Sequence, residues 1–122
     1  LLRLAALTGE DRYREKANGI LRLLRDPMTR QPSAFSHLLE AVDLATAGIT
    51  EIAIPGSGAT DLVRAVQRRY LPNAVLAWGE RSASPLWEGR PDDGRAYVCH
   101  GSVCDAPVST PADLARQLGE ER

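Results

Sequence analysis

The strongest constraint on this chain lies between Thr50 and Trp78, where two short apolar runs flank one amphipathic segment. Glu51-Ile52-Ala53-Ile54 is too short for a helix and carries β-branched residues, so it reads as a strand. Pro55-Gly56-Ser57-Gly58 has turn chemistry. From Ala59 the period lengthens: Ala59, Leu62, Val63, Val66 and Tyr70 fall at i, i+3, i+4, i+7 and i+11, a single helical stripe. Leu71-Pro72-Asn73 stops that helix, because a residue before proline is pushed out of the α region. Ala74-Val75-Leu76-Ala77-Trp78 then reads as a second buried strand. Two apolar strands joined by one helix are best satisfied by a parallel pair with a right-handed crossover. The expected fold class is therefore α/β, with a small parallel or mixed sheet of three to four strands and flanking helices.

Upstream, residues 1–7 read as the end of a helix that Thr8-Gly9 closes. Glu10 and Asp11 place negative charge where the dipole of the next helix favours it. That helix is expected over 11–25, with Tyr13, Ala17, Ile20, Leu21 and Leu24 as its apolar stripe and Asp26-Pro27 as its stop. Residues 28–33 read as a loop, after which Ser33 or Ser36 starts a third helix that Gly48 terminates. Phe35, Leu38, Leu39, Val42 and Ala45 or Thr46 supply its apolar face.

Downstream, residues 79–95 are rich in Gly, Pro, Ser and charge, and Pro91-Asp92-Asp93-Gly94 is a strong turn signal. Leu86-Trp87 within that loop reads as an apolar anchor to the body. Ala96-Tyr97-Val98-Cys99 is a third strand candidate, and Val103-Cys104-Asp105 a short returning partner. Thr110, Pro111 and Asp113 make a helix start close to a capping box, and Leu114, Ala115 and Leu118 would lay that helix over the sheet.

At 122 residues one domain is expected, long enough to bury a substantial core, roughly two-thirds of the unfolded surface. A net charge of −1 provides no electrostatic footprint for nucleic acid or an anionic membrane, so neither is expected as a partner. Two cysteines are too few for a secreted disulfide scaffold, which makes the reducing cytoplasm the expected compartment. The opening Leu1-Leu2-Arg3-Leu4 lacks an initiator methionine and a signal-peptide layout, and reads as an excerpt of something longer.

Three places could hold chemistry. In Cys99-His100-Gly101-Ser102-Val103-Cys104, a four-residue hairpin loop would set the two thiols opposite each other, close enough for a disulfide. Three readings stand: two small apolar residues packing a strand pair, a reversible disulfide, or a metal site with His100 and Asp105. The spacing is not the C-x-x-C of thiol oxidoreductases, and no second ligand cluster accompanies it, so no metal is expected. Gly56, Ser57 and Gly58 precede a helix N-terminus whose N–H groups could hold a phosphate or nucleotide, with Thr60 completing the stretch. The alternative there is a turn in which Ser57 or Thr60 caps the helix, since the spacing matches neither a P-loop nor G-x-G-x-x-G. His37 has no partner in helical register and reads as a packed or surface histidine. Arg64, Arg68 and Arg69 complement a helix C-terminus, and no Ser-His-Asp or paired-carboxylate arrangement stands out, so no catalytic residue is assigned.

Several stretches together resemble a known family. Leu7-Thr8-Gly9-Glu10-Asp11-Arg12-Tyr13 with Ala17 is similar to the hairpin turns of α/α toroids. "AFSHLLEAVD", "EIAIPG", "RRYLPNAVLAWG" and above all "AYVCHGSVCDAPVSTPADLARQL" resemble the C-terminal end of the YyaL-like family, thioredoxin-domain-containing proteins of the spermatogenesis-associated type. The resemblance implies a C-terminal fragment: residues 1–48 as the end of an α/α toroid and 49–122 as a small α/β domain. It also implies a parent with a thioredoxin-like domain and a toroid similar to sugar epimerases, and it makes Cys99 and Cys104 the matching positions with chemical potential. Pro55-Gly56-Ser57-Gly58 departs from the more acidic turn the resemblance implies.

The preferred expectation is a non-catalytic structural or interaction module without a cofactor. Its partner is the remainder of the parent chain, and its exposed helical face could join copies of itself. The alternatives are a thiol switch at Cys99 and Cys104, and phosphate or nucleotide binding at residues 56–60.

Overall fold

The computed structural model describes residues 1–119. The helices are α1 (Leu2–Thr8), α2 (Asp11–Leu23), α3 (Arg25–Arg30), α4 (Ser36–Ala47), α5 (Thr60–Gln67) and α6 (Pro111–Gly119). The strands are β1 (Thr50–Pro55), β2 (Ala74–Gly79), β3 (Tyr97–His100) and β4 (Val103–Cys104). They form one sheet in the order β2-β1-β3-β4. β1 and β2 are parallel, with Ile52 beside Leu76, whereas β3 runs antiparallel to both β1 and β4. The sheet is therefore mixed and four-stranded, and the chain is α/β as the strand-helix-strand pattern implies.

Side-chain alternation along β1 divides the sheet into two covered faces. Ile52 and Ile54 join Val98 on the face beneath α5 and α6, where Leu62, Val63, Val66, Leu114 and Leu118 complete the main core. Full burial of each such aliphatic side chain contributes about 1.5–3 kcal/mol. Ala53 and Val75 point to the opposite face, which α1 and the Pro85–Trp87 turn cover through Ala6, Leu86 and Trp87. Leu86-Trp87 is thus the anchor its composition predicts. The Ser84 hydroxyl accepts a hydrogen bond from the Leu86 N–H at 3.2 Å and fixes the start of that turn.

The helix signals at three termini work as read. Gly9 adopts φ 72° and returns its N–H to the Ala5 carbonyl. Gly48 ends α4 at φ 88°. The Thr110 hydroxyl accepts from the Asp113 N–H at 3.2 Å and donates to the Asp113 carboxylate at 2.7 Å.

Four expectations are corrected. Asp26-Pro27 does not end the helical run: the chain bends at Leu24 and restarts as α3, with Pro27 in its first turn. The first turn has no intrahelical use for an N–H, so proline is tolerated there. Residues 28–33 are consequently not a plain loop; Met28 is a buried helical residue, and a short 3₁₀ turn, Pro32–Phe35, leads into α4. Tyr70 is not part of the buried stripe, because α5 ends at Gln67 and leaves the ring 90% exposed, while Leu71 packs against the core instead. The β3–β4 connection is a two-residue turn at Gly101 and Ser102, since His100 and Val103 pair as the last rung.

Candidate functional site

The face of the sheet under the 79–95 loop holds the most chemically varied cluster. β3 places Tyr97 and Cys99 on that face, and the β1 register sets Glu51 beside Cys99. The β3–β4 register sets Cys99 opposite Cys104, as the hairpin spacing predicts, and a disulfide joins them with Cα atoms 3.9 Å apart. The Asp105 N–H donates to the Val98 carbonyl at 2.9 Å, so the cysteines occupy a non-hydrogen-bonded rung, where side chains approach most closely. Cys99 is 1% exposed, while Cys104 is solvent-exposed on the edge strand.

The loop delivers a guanidinium to this disulfide. Arg81 donates to the carbonyls of Trp87 and Arg90, which ties the loop to itself. Arg90 then turns inward and donates to the Leu86 carbonyl and to Cys99 Sγ, the latter at 2.8 Å. Its Nη2 also lies 3.9 Å from Cys104 Sγ and 3.9 Å from a Glu51 carboxylate oxygen. With only 11% of its side chain exposed, Arg90 is a largely desolvated cation shared between the Leu86 carbonyl and a disulfide sulfur. Beyond the hairpin, His100 faces Thr50 Oγ1 at 3.2 Å and the Asp105 carboxylate at 3.7 Å.

A second polar network secures the end of the loop. The Asp93 carboxylate accepts from Arg95 Nε at 2.7 Å and from the Tyr97 hydroxyl at 2.6 Å. Those hydrogen bonds, Arg95's first, hold the Asp93 carboxyl down at about 2. Burial, with the Asp93 bond behind it, pushes the Tyr97 phenol up.

The Gly56-Ser57-Gly58 turn lies apart from the cysteines. The Gly56 N–H is engaged by the Gly79 carbonyl at 3.0 Å, and Gly56 adopts φ 87°. A Cβ placed on Gly56 would lie 1.9 Å from an Asp92 carboxylate oxygen. A phosphate held against Gly56 would meet that carboxylate as a like charge. Neither Ser57 nor Thr60 caps α5; the Asp61 carboxylate takes the Leu62 N–H at 2.9 Å. His37 is on the exposed side of α4, and Glu40, 3.4 Å away and three residues on, is the partner in helical register that sequence reasoning missed. Among the described residues no group of three or more His, Cys, Asp or Glu is placed to hold a metal ion. No described helix is long and apolar enough to cross a membrane.

Glu51 and Arg90 are the site residues that sequence reasoning missed. Glu51 did leave a signal, as the charged position in an otherwise apolar strand, and charged groups on such strands are seldom buried without a partner. Arg90 left none, because its neighbours Gly89 and Pro91 carry only turn information.

Fold and site together define a small layered α/β unit with a hairpin disulfide under an arginine-bearing loop. The chain is similar to spermatogenesis-associated protein 20 of Homo sapiens, 28% identical over 132 aligned positions. It is 26% identical to spermatogenesis-associated protein 20 of Rattus norvegicus over the same length. Each alignment covers 97% of this chain but only 17% of the relative, so the chain corresponds to one segment of a much larger protein. No family model matches the chain. No solved structure matches it.

Proposed function

We propose that the chain works as a non-catalytic C-terminal module of a larger cytoplasmic protein of the YyaL-like type, whose other parts are a thioredoxin-like domain and an α/α toroid. In this reading, residues 1–48 complete the toroid and 49–122 form the α/β cap that closes its end. The observation that supports it is the uncovered apolar surface of the helices. A groove between α1, α2 and α4 is lined by Leu1, Ala17, Ile20, Leu38, Ala41 and Leu44. A second groove, between α2, α3 and α4, is lined by Leu21, Met28, Leu39 and Val42. Ile20 and Leu39 remain substantially exposed, and Leu23 is 78% exposed. An apolar surface of this extent marks a place where another surface docks. Further helices of the parent are its natural occupant, because relatives continue for several times this length.

The test is self-association of the chain by size exclusion with light scattering. Lacking the parent's helices, the grooves should pair with a second copy and give a species heavier than a monomer. Ile20→Glu combined with Leu39→Glu should restore the monomer with unchanged helical circular dichroism. A wild-type chain that stays monomeric at every concentration would refute the docking role.

A further inference from the structure

We infer that Cys99–Cys104 is a reducible disulfide rather than a static staple, with Cys104 the sulfur that is attacked and Cys99 the thiolate that leaves against Arg90. This inference stands independently of the docking role, since it rests on the β3–β4 hairpin and the loop over it rather than on the helical grooves. Three observations support it.

The two sulfurs are unequal in access: Cys104 is exposed on an edge strand of two residues, whereas Cys99 is buried under the loop. An incoming thiolate therefore reaches Cys104. The charge is unequal too, because Arg90 Nη2 is 2.8 Å from Cys99 Sγ but 3.9 Å from Cys104 Sγ. A cation beside a sulfur favours its thiolate form, and a better-stabilised leaving thiolate speeds exchange and favours the reduced state. Finally, Glu51 stands 3.9 Å from the same guanidinium nitrogen, on the strand next to Cys99. Its negative charge moderates Arg90, so the pair sets the poise between them. Other charged groups near the hairpin are His100 and Asp105, which face each other at 3.7 Å, and Arg14, which lines a groove with Glu51 and Gly101.

The co-reactant is a thiol, either a small molecule such as glutathione or a protein dithiol. Its thiolate forms a bond to Cys104 Sγ as the Cys99–Cys104 bond breaks, and the bonding pair passes to Cys99 Sγ. A second thiol attacks the mixed disulfide and releases Cys104, which takes up a proton. In sum, one protein disulfide becomes a dithiol and two thiols become one disulfide. The two-residue turn at Gly101 and Ser102 keeps the sulfurs on facing positions, so reoxidation is intramolecular and rapid.

The test equilibrates the full chain with glutathione at graded ratios of reduced to oxidised form, traps thiols by alkylation, and reads the fraction by mass spectrometry. Wild type should pass from disulfide to dithiol without denaturant. Arg90→Gln should lower the equilibrium constant for reduction about tenfold, a shift of about 30 mV, and Glu51→Gln should raise it. In Cys99→Ala, glutathione should accumulate on Cys104. Opposite shifts from the two charge variants separate this role from simple packing, which both would weaken in the same sense. Glu51→Gln also keeps the test decisive if Arg90→Gln fails to fold. A disulfide untouched until the chain is unfolded, two free thiols in air-oxidised folded protein, or a Glu51→Gln constant equal to wild type or below it would each overturn the inference.

Discussion

Gly56→Ala tests the placement of the 79–95 loop against the strand-to-helix turn. Two separate costs follow from the structure. Gly56 holds φ 87°, a conformation that costs an L-residue about 1–2 kcal/mol. The added Cβ also meets Asp92 Oδ1 at 1.9 Å and its carboxyl carbon at 2.6 Å, so the Asp92 side chain must swing away. Because the obstructing atoms are the tip of an exposed side chain, that movement costs about 1 kcal/mol, the scale of an unfavourable rotamer. The sum is about 2–3 kcal/mol, which lowers the midpoint of thermal unfolding by about 8–12 °C in a domain of this size. Urea unfolding of wild type, Gly56→Ala, Asp92→Ala and the double variant separates the parts. The double variant should recover about 1 kcal/mol relative to the sum of the single changes, since Asp92→Ala removes the obstruction but not the backbone strain. An additive cycle would mean that the loop does not lie against Gly56. A loss below about 0.5 kcal/mol for Gly56→Ala would mean that the turn is not left-handed at that position.

Two further outcomes are expected. Leu114→Ala, at a residue that is fully buried between α5 and the sheet, should cost about 2–5 kcal/mol in urea unfolding with an unchanged slope; a loss under about 1 kcal/mol would detach α6 from the core. Asp93 has a folded-state carboxyl depressed to about 2 by Arg95 and Tyr97, so the stability it contributes is complete above the unfolded carboxyl range near about pH 4 and drains away as the pH falls toward 2. Asp93→Asn should therefore flatten that part of the stability profile, and a variant with the wild-type acid slope would refute the assignment.

The alternation of elements was legible because it depends on local properties. A short apolar, β-branched run at Ile52-Ala53-Ile54, a helical period from Ala59 to Val66, and the capping chemistry of Thr110 and Asp113 act over neighbours in sequence, and the structure places each as read. The turn of helix at Pro27 was not legible, because proline stops a helix in its interior yet fits its first turn, and only packing of Met28 decides which applies. Tyr70 misled for a similar reason, as periodicity extends a stripe without knowing where the helix stops.

The sequence by itself determined the α/β class, the opposition of Cys99 and Cys104, and the anchor at Leu86 and Trp87, since spacing and composition govern all three. Tertiary structure alone decided what surrounds those sulfurs. Glu51 reaches Cys99 through the lateral register of β1 on β3, and Arg90 reaches it through the docking of a loop. Both depend on contacts between segments distant in the chain, which no local pattern of residues can encode.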